Sequence, residues 1–315
     1  MGATPTMKAV VYTKYGGAEV TTLATLPRPT AGPGEVLVAV AAAALNPVDV
    51  YLRNGLMAQI TPNAFPQIAA NELAGTVVAL GAGVASFAVG DRVMARVSKT
   101  HTGAVAQFVS VPAGYAARAP ASISLAAASG FPLCALTAAQ MLDKLSVSAG
   151  DRLLVAGGAT VVGQYGIQLA KMRGATVVAT ASPAGEPLVR RLGVDEIIDY
   201  KSTTLTGWAA SNGAFDKLFD AAGPRDDVSD LLGAAADGAH IVTVSGPNNP
   251  GSFDAYVPWW KRWVVNGVLW SRFRATCALA SARGLRYEYM FMNPDGAQLG
   301  ELGRLVDEGK LEVPL

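Results

Sequence analysis

Apolar and polar positions along the 315-residue chain change rhythm near residue 122. Up to that point apolar residues come in short runs: KAVVYT, EVLVAVAAAAL, LAGTVVALG, RVMARV and VAQFVSV. Turn text such as RPTAGPGE and AVGD separates them, and runs of this length between Gly, Pro and Asp predict strands. From about residue 124 helix-like and strand-like segments alternate. SLAAASGFPLCALTAAQMLDKL predicts a helix, RLLVAG a strand, VGQYGIQLAKMRG a helix and TVVATAS a strand. AGEPLVRRLG predicts a helix, EIIDY and KLFDAAG strands, DDVSDLLGAAA a helix and HIVTVSG a strand. Short apolar strands joined by helical crossovers predict a doubly wound parallel sheet, so the fold class is α/β with a β-rich first part. This regime ends near residue 247. An aromatic and basic segment, VPWWKRWVVNGVLWSRFRATCALASARGLRYEYMFM, follows, and a helix, GAQLGELGRLVDEGK, comes last.

Length and composition sharpen this picture only in places. A chain of 315 residues exceeds one ordinary core, so two domains are expected. A formal net charge of +1 provides no field for steering nucleic acid or an anionic membrane. No window approaches the ~18 uninterrupted apolar residues of a membrane span. The opening MGATPTMKAVVYTKYGG lacks the charged and apolar regions of a signal peptide. Cys134 and Cys277 form no metal-like cluster and no disulfide framework. A reduced, cytoplasmic protein is expected.

The candidate chemistry lies in LLVAGGATVVGQYGIQLAK, residues 153–171. Strand, tight loop and helix opening are the setting in which a dinucleotide pyrophosphate rests on backbone N–H groups. Gly157, Gly158 and Gly163 are present, but Thr160 takes the central glycine position of G-x-G-x-x-G. Its Cβ and methyl crowd the phosphate approach, while its hydroxyl offers a donor to a phosphate oxygen. A ligand-free parallel-sheet turn would look similar, but the strand before, the helix after and the second strand at the expected distance favour a cofactor loop. The second strand ends in Ala181-Ser182-Pro183 without the acid that holds a ribose 2′-hydroxyl in NAD enzymes. Ser182 leaves room for a 2′-phosphate, and Tyr200 and Lys201 offer a donor and a charge. NADPH is therefore the expected cofactor, although Lys201 as a merely solvated side chain is the common alternative.

Several segments together resemble the zinc-independent, quinone-oxidoreductase-like branch of the medium-chain dehydrogenase/reductase superfamily. They are MKAVVYTKYGGAEV, ALNPVDVYLRNG, ELAGTVVALGAGVASFAVGDRVMA, FPLCALTAAQML and LGVDEIIDY, and the likeness extends over almost the whole chain. The resemblance implies a GroES-like catalytic domain over residues 1–122, a Rossmann cofactor-binding domain over 123–260, and a return to the catalytic domain over 261–315. It implies a substrate cleft between domains, and it places Val162, Ala222, Ser245 and Phe291 along the cofactor. Zinc-bearing relatives begin the element Asn46-Pro47-Val48-Asp49 with a Cys, and their ligand His falls on Asn71. Their third ligand position falls on Leu133, beside Cys134, and the four-cysteine structural zinc loop is missing. The resemblance therefore implies no zinc, and Cys134 is expected to fill core.

Without a metal, a reductase of this kind relies on hydride placement and on a donor for the developing oxyanion. The resemblance makes Tyr51 the donor and gives Asn46 the task of orienting nicotinamide or substrate. Arg53 is either a phosphate or substrate ligand or part of a salt bridge, and Asp49 is expected to tie down its loop. Relatives carry a second tyrosine where this chain has Leu56-Met57, and His101, between Thr100 and Thr102, either borders the cleft or is an exposed loop residue. Trp259, Trp260, Trp263 and Trp270 suit an apolar pocket or lid, and suit equally a dimer or membrane-facing surface. Relatives continue past DEGKLEVPL with a strand, a helix and a strand; either the chain was cut or the protein lacks that cap. A missing terminal strand would leave an unpaired sheet edge, so a partner, an altered edge or reduced stability is expected. The function expected is NADPH-dependent, metal-independent reduction of a small-molecule quinone or α,β-unsaturated carbonyl, with a homodimer among the arrangements open to it. The alternatives are a reductase specialised for one ketone or biosynthetic enone, and a non-catalytic cofactor-binding or scaffold protein.

Overall fold

The computed structural model describes residues 5–314 except 57, 59–61, 63, 98–102, 225 and 255–256. Met57 and the Thr100–Thr102 stretch with His101 therefore lie outside the described residues. The chain divides into two compact units: one holds residues up to Leu136 together with Asn293–Val313, the other Thr137–Met292.

The first unit is antiparallel. Strands β1 (Thr6–Tyr12) and β2 (Thr21–Pro27) pair in a small sheet that β4 (Gln67–Ile68) completes on the other side of β1. A five-stranded sheet is formed by β3 (Glu35–Ala44), β5 (Glu72–Leu80), β6 (Arg92–Arg96), β7 (Phe108–Pro112) and β8 (Ala116–Arg118), in the order β7-β3-β5-β6-β8. Alternation sends Val36, Val38, Leu73, Val77, Val93, Val109 and Val111 into one buried cluster. Helix α1 (Pro47–Arg53) follows β3, and α2 (Leu125–Ser129) leads to α3 (Pro132–Lys144), along which the chain passes into the second unit.

The second unit is a six-stranded parallel sheet in the order β11-β10-β9-β12-β13-β14. Its elements run β9 (Arg152–Ala156), α4 (Val161–Met172), β10 (Thr176–Ala181), α5 (Glu186–Arg191), β11 (Glu196–Asp199), α6 (Leu205–Asn212), β12 (Phe215–Asp220), α7 (Ser229–Gly233), β13 (Ala235–Thr243), α8 (Arg262–Ala282) and β14 (Arg286–Tyr289). A cross-strand row of Val178, Leu154, Leu218, Ile241 and Tyr287 fills one face, where Phe273 of α8 joins the cluster. On the other face Phe219, fully buried, sits against Gly166 of α4, where an added Cβ would meet its ring at 2.9 Å. Helix α9 (Gly296–Asp307) belongs to the first unit, and the Asp307 carboxylate accepts the Ser122 N–H at 2.9 Å.

The α/β class, the antiparallel first part and the doubly wound parallel sheet are as expected. The differences are local. One expected helix over 124–145 is two, because Gly130 terminates α2 and Pro132 opens α3 without needing a helical N–H. Helix α6 joins β11 and β12 where only strands were expected. The helix expected in DDVSDLLGAAA keeps five residues, because Ala235 already pairs with Phe215 in the sheet. The aromatic segment forms α8 and β14, and β14 pairs with β13, so residues 261–292 lie with the parallel sheet rather than with the first unit.

Phe219→Ala opens a void beneath a helix whose facing residue is glycine and cannot refill it. The expected loss is about 3–5 kcal/mol, read as a fall in the denaturant midpoint with little change in slope.

Candidate functional site

In the second unit the first turn of α4 meets the ends of β9 and β12. Gly157 has φ +85°, and a Cβ there would lie 2.6 Å from the Ala221 carbonyl oxygen. At Gly163 a Cβ would lie 2.1 Å from the Gly157 carbonyl oxygen, so only glycine lets the helix approach the strand this closely. The Gly157 N–H is held by Thr180 Oγ1 at 2.8 Å, and the Gly158 N–H by the Thr180 carbonyl at 3.0 Å.

Thr160 is the N-cap of α4. Its Oγ1 accepts the Gly163 N–H at 3.0 Å and donates to the Gly157 carbonyl at 2.8 Å. The hydroxyl expected to donate to a phosphate oxygen therefore spends its one hydrogen within the loop. The first hydrogen bond of the helix runs from Gln164 N to the Thr160 carbonyl, and the N–H groups of Val161 and Val162 lie ahead of it. These are the donors that a helix start offers to an anion.

A cleft of about 480 Å³ opens at this mouth. Of the expected cofactor residues, Gly157, Thr160, Ser182, Tyr200 and Ala222 line it. Asp227, Val228, Asp230 and Leu231 also line it, and sequence reasoning assigned them nothing. The Asp230 carboxylate accepts the Leu205 and Thr206 N–H groups at 2.9 Å each, which caps α6. Gly158, Val162, Gly163, Lys201, Ser245 and Phe291 are not among the lining residues. Lys201 is exposed, Ser245 Oγ accepts the Gly223 N–H at 3.1 Å, and Phe291 packs against Phe253 and Tyr289.

The first unit contains a second polar constellation, centred on Glu72 at the start of β5. Glu72 is fully buried. Its Oε1 accepts the Asn46 amide at 2.5 Å, and its Oε2 accepts the Leu133 N–H at 2.7 Å. Asp49 accepts the Asn46 backbone N–H at 2.7 Å and is hydrogen-bonded by the Asn71 amide. It thus ties down its loop, as expected. The Asn46 side-chain oxygen Oδ1 lies 3.5 Å from the Cys134 sulfur, so Asn46 and Cys134, 88 positions apart, come together. Arg96, also buried, lies opposite Glu72 on the β5–β6 ladder. Burial pushes the Glu72 carboxyl up to about 7 against its two hydrogen bonds and the nearby Arg96 charge. Burial likewise raises Asp49, and burial together with the Glu72 charge pushes the Cys134 thiol far up. Tyr51 is half-buried on α1, and the Arg53 guanidinium reaches the Gly16 carbonyl at 3.3 Å. Among the described residues no group of three or more His, Cys, Asp or Glu side chains is arranged to hold a metal ion.

Sequence reasoning missed Glu72 as a hub. Its signal was the glutamate of the A-N-E-L-A-G segment, whose partners at Asn46 and Leu133 stand 26 and 61 positions away.

Residues 32–121 match the alcohol dehydrogenase GroES-like domain, and residues 161–283 match the zinc-binding dehydrogenase family. The chain is 34% identical over 226 residues to a chloroplastic quinone-oxidoreductase QR1 of Triphysaria versicolor, covering 69% of each protein. It is 36% identical over 256 residues to the chloroplastic NADPH-dependent alkenal/one oxidoreductase of Arabidopsis thaliana, covering 78% of this chain and 64% of that protein. The solved quinone oxidoreductase of Coxiella burnetii superposes with a TM-score of 0.81 at 27% identity, over 99% of this chain and 90% of that one. With both domain families matched, and the antiparallel and parallel sheets both in place, the chain belongs to the quinone-oxidoreductase-like branch of the medium-chain dehydrogenase/reductase superfamily.

Proposed function

We propose that this protein is an NADPH-dependent reductase that delivers hydride to a quinone or an α,β-unsaturated carbonyl compound without a metal ion. The observation that carries this reading is the cleft at the mouth of β9 and α4. It is lined by Gly157, where a Cβ would be blocked, by the helix N-cap Thr160 and by Ser182 at the end of a second strand without a carboxylate. The unspent N–H groups of the helix start follow Thr160 directly. The names of the relatives, a quinone oxidoreductase and an alkenal/one oxidoreductase, agree with it.

These residues fit a dinucleotide. Val161 and Val162 would offer N–H groups to the pyrophosphate, and Ser182 and Tyr200 would take the ribose, with Lys201 as counter-charge for a 2′-phosphate. NADPH, when bound, supplies the hydride. Tyr51 donates its phenolic hydrogen to the substrate oxygen on which negative charge develops. Asn46 orients substrate or nicotinamide through its second amide hydrogen, the first being held by Glu72. Glu72 is a positioning residue that acts through Asn46.

The first-unit constellation does not fit zinc. Zinc takes thiolate, imidazole or carboxylate ligands. Here Asn46 and Asn71 are amides turned as donors onto Glu72 and Asp49, and burial keeps the Cys134 thiol protonated. No step is therefore assigned to a metal.

Titration followed by nicotinamide fluorescence should give NADPH binding clearly tighter than NADH binding. Lys201→Ala should narrow that gap several-fold, and Gly157→Ala should abolish binding of both; equal affinities throughout would sink the NADPH assignment. Tyr51→Phe should lower turnover of quinone and enone panels roughly 100-fold or more while NADPH affinity is unchanged. The Glu72 carboxyl, raised from 4.5 to about 7, keeps a proton in the folded chain that the unfolded chain gives up. Stability should therefore fall as pH rises from 4.5 through about 7. Glu72→Gln should flatten that slope in thermal midpoints taken across the window.

A further inference from the structure

Helix α8 and the turn before it carry a surface that the reductase reading does not use. Four of the chain's five tryptophans lie here, and Trp259 and Trp263 are 79% and 76% exposed. Trp263, Gly267, Trp270 and Arg274 follow one another at helical spacing along one stripe, and Val264, Val268 and Leu279 form the stripe beside it. All of these are exposed. The opposite face, through Phe273 and Ala280, is packed into the second unit's core beside Leu231 and Tyr287. The helix is therefore apolar on both sides, and among the described residues only one side is packed into the core.

Charge identifies what the open side fits. Residues 255–287 contain six of the chain's 25 Lys and Arg residues and none of its 24 Asp and Glu residues. Arg283 is paired with Asp237 and Arg286 with Glu288. Lys261, Arg262 and Arg274 are exposed, and the Lys261 ammonium lies 4.9 Å above the Trp260 ring. Indole is apolar with one donor and favours the boundary between hydrocarbon and water, and cations beside it favour anionic headgroups. A two-fold pairing of this face with a second copy would oppose like charges with no acid in the segment to meet them. Among the described residues no helix is long and apolar enough to cross a membrane, so the helix would lie in the headgroup plane.

We propose that the Trp259–Leu279 face docks on the surface of an anionic lipid bilayer, inserting its indoles and setting Lys261, Arg262 and Arg274 against phosphate headgroups. The docking does not depend on the reductase activity. The test is co-sedimentation of the full chain with vesicles of phosphatidylcholine, with and without phosphatidylserine, alongside tryptophan emission. Binding should require phosphatidylserine, weaken with salt and shift the emission to the blue. Trp263→Ser with Trp270→Ser should abolish it, and Lys261→Gln with Arg262→Gln should weaken it about tenfold or more. These positions are exposed, so circular dichroism and thermal midpoints should be unchanged. Absence of binding, binding that these variants leave intact, or self-association through the face without vesicle binding would each overturn the proposal.

Discussion

A carbon atom at the Cβ position of Gly163 would stand 2.1 Å from the carbonyl oxygen of Gly157, and the second unit is organised around that closeness. Because the first turn of α4 can sit on the end of β9, the helix start faces the point where β9, β10 and β12 finish. The loop between them has no slack: Thr180 holds the N–H groups of Gly157 and Gly158, and Thr160 bridges Gly157 to Gly163. The cleft at this mouth is shaped by this backbone arrangement, and among its described lining residues none is Lys or Arg.

The first unit solves a different problem, that of holding ionisable groups in a dry place. Glu72, Asp49 and Arg96 are all buried, a costly arrangement unless each is hydrogen-bonded. For the two carboxylates the Asn46 amide, the Asn71 amide and the Leu133 N–H meet that need, and in doing so fasten α1, β5 and the start of α3 to one another, while the Arg96 guanidinium donates to the Val97 carbonyl. The same contacts that stabilise the unit set the orientation of Asn46, one turn of helix from Tyr51.

How much of this the text alone revealed depends on the range over which each feature is decided. The parallel sheet was legible because its strands are uniformly apolar and its crossovers amphipathic, and the glycine loop because its context is local. Helix α6 was not, since LTGWAASN mixes Thr, Gly, Ser and Asn, and its capping partner Asp230 lies 25 positions ahead of Leu205. The Glu72 hub was hidden for the same reason. The two-helix break at Gly130–Pro132 was written plainly in residue types and passed over because the apolar pattern continues across it. Lys201 shows the opposite limit: its position in the chain points to the cleft, but its side chain is not among those that line it.

The substitution of Thr160 for the middle glycine has a consequence for how the mouth of α4 meets a ligand. A glycine-rich loop gains its shape partly from what binds it, giving up backbone freedom as it does so. Here the threonine hydroxyl closes a small ring of hydrogen bonds between Gly157 and Gly163. Under the proposed function an incoming anion would meet a loop whose two ends are already joined by hydrogen bonds, so less of its binding energy would go into ordering the backbone.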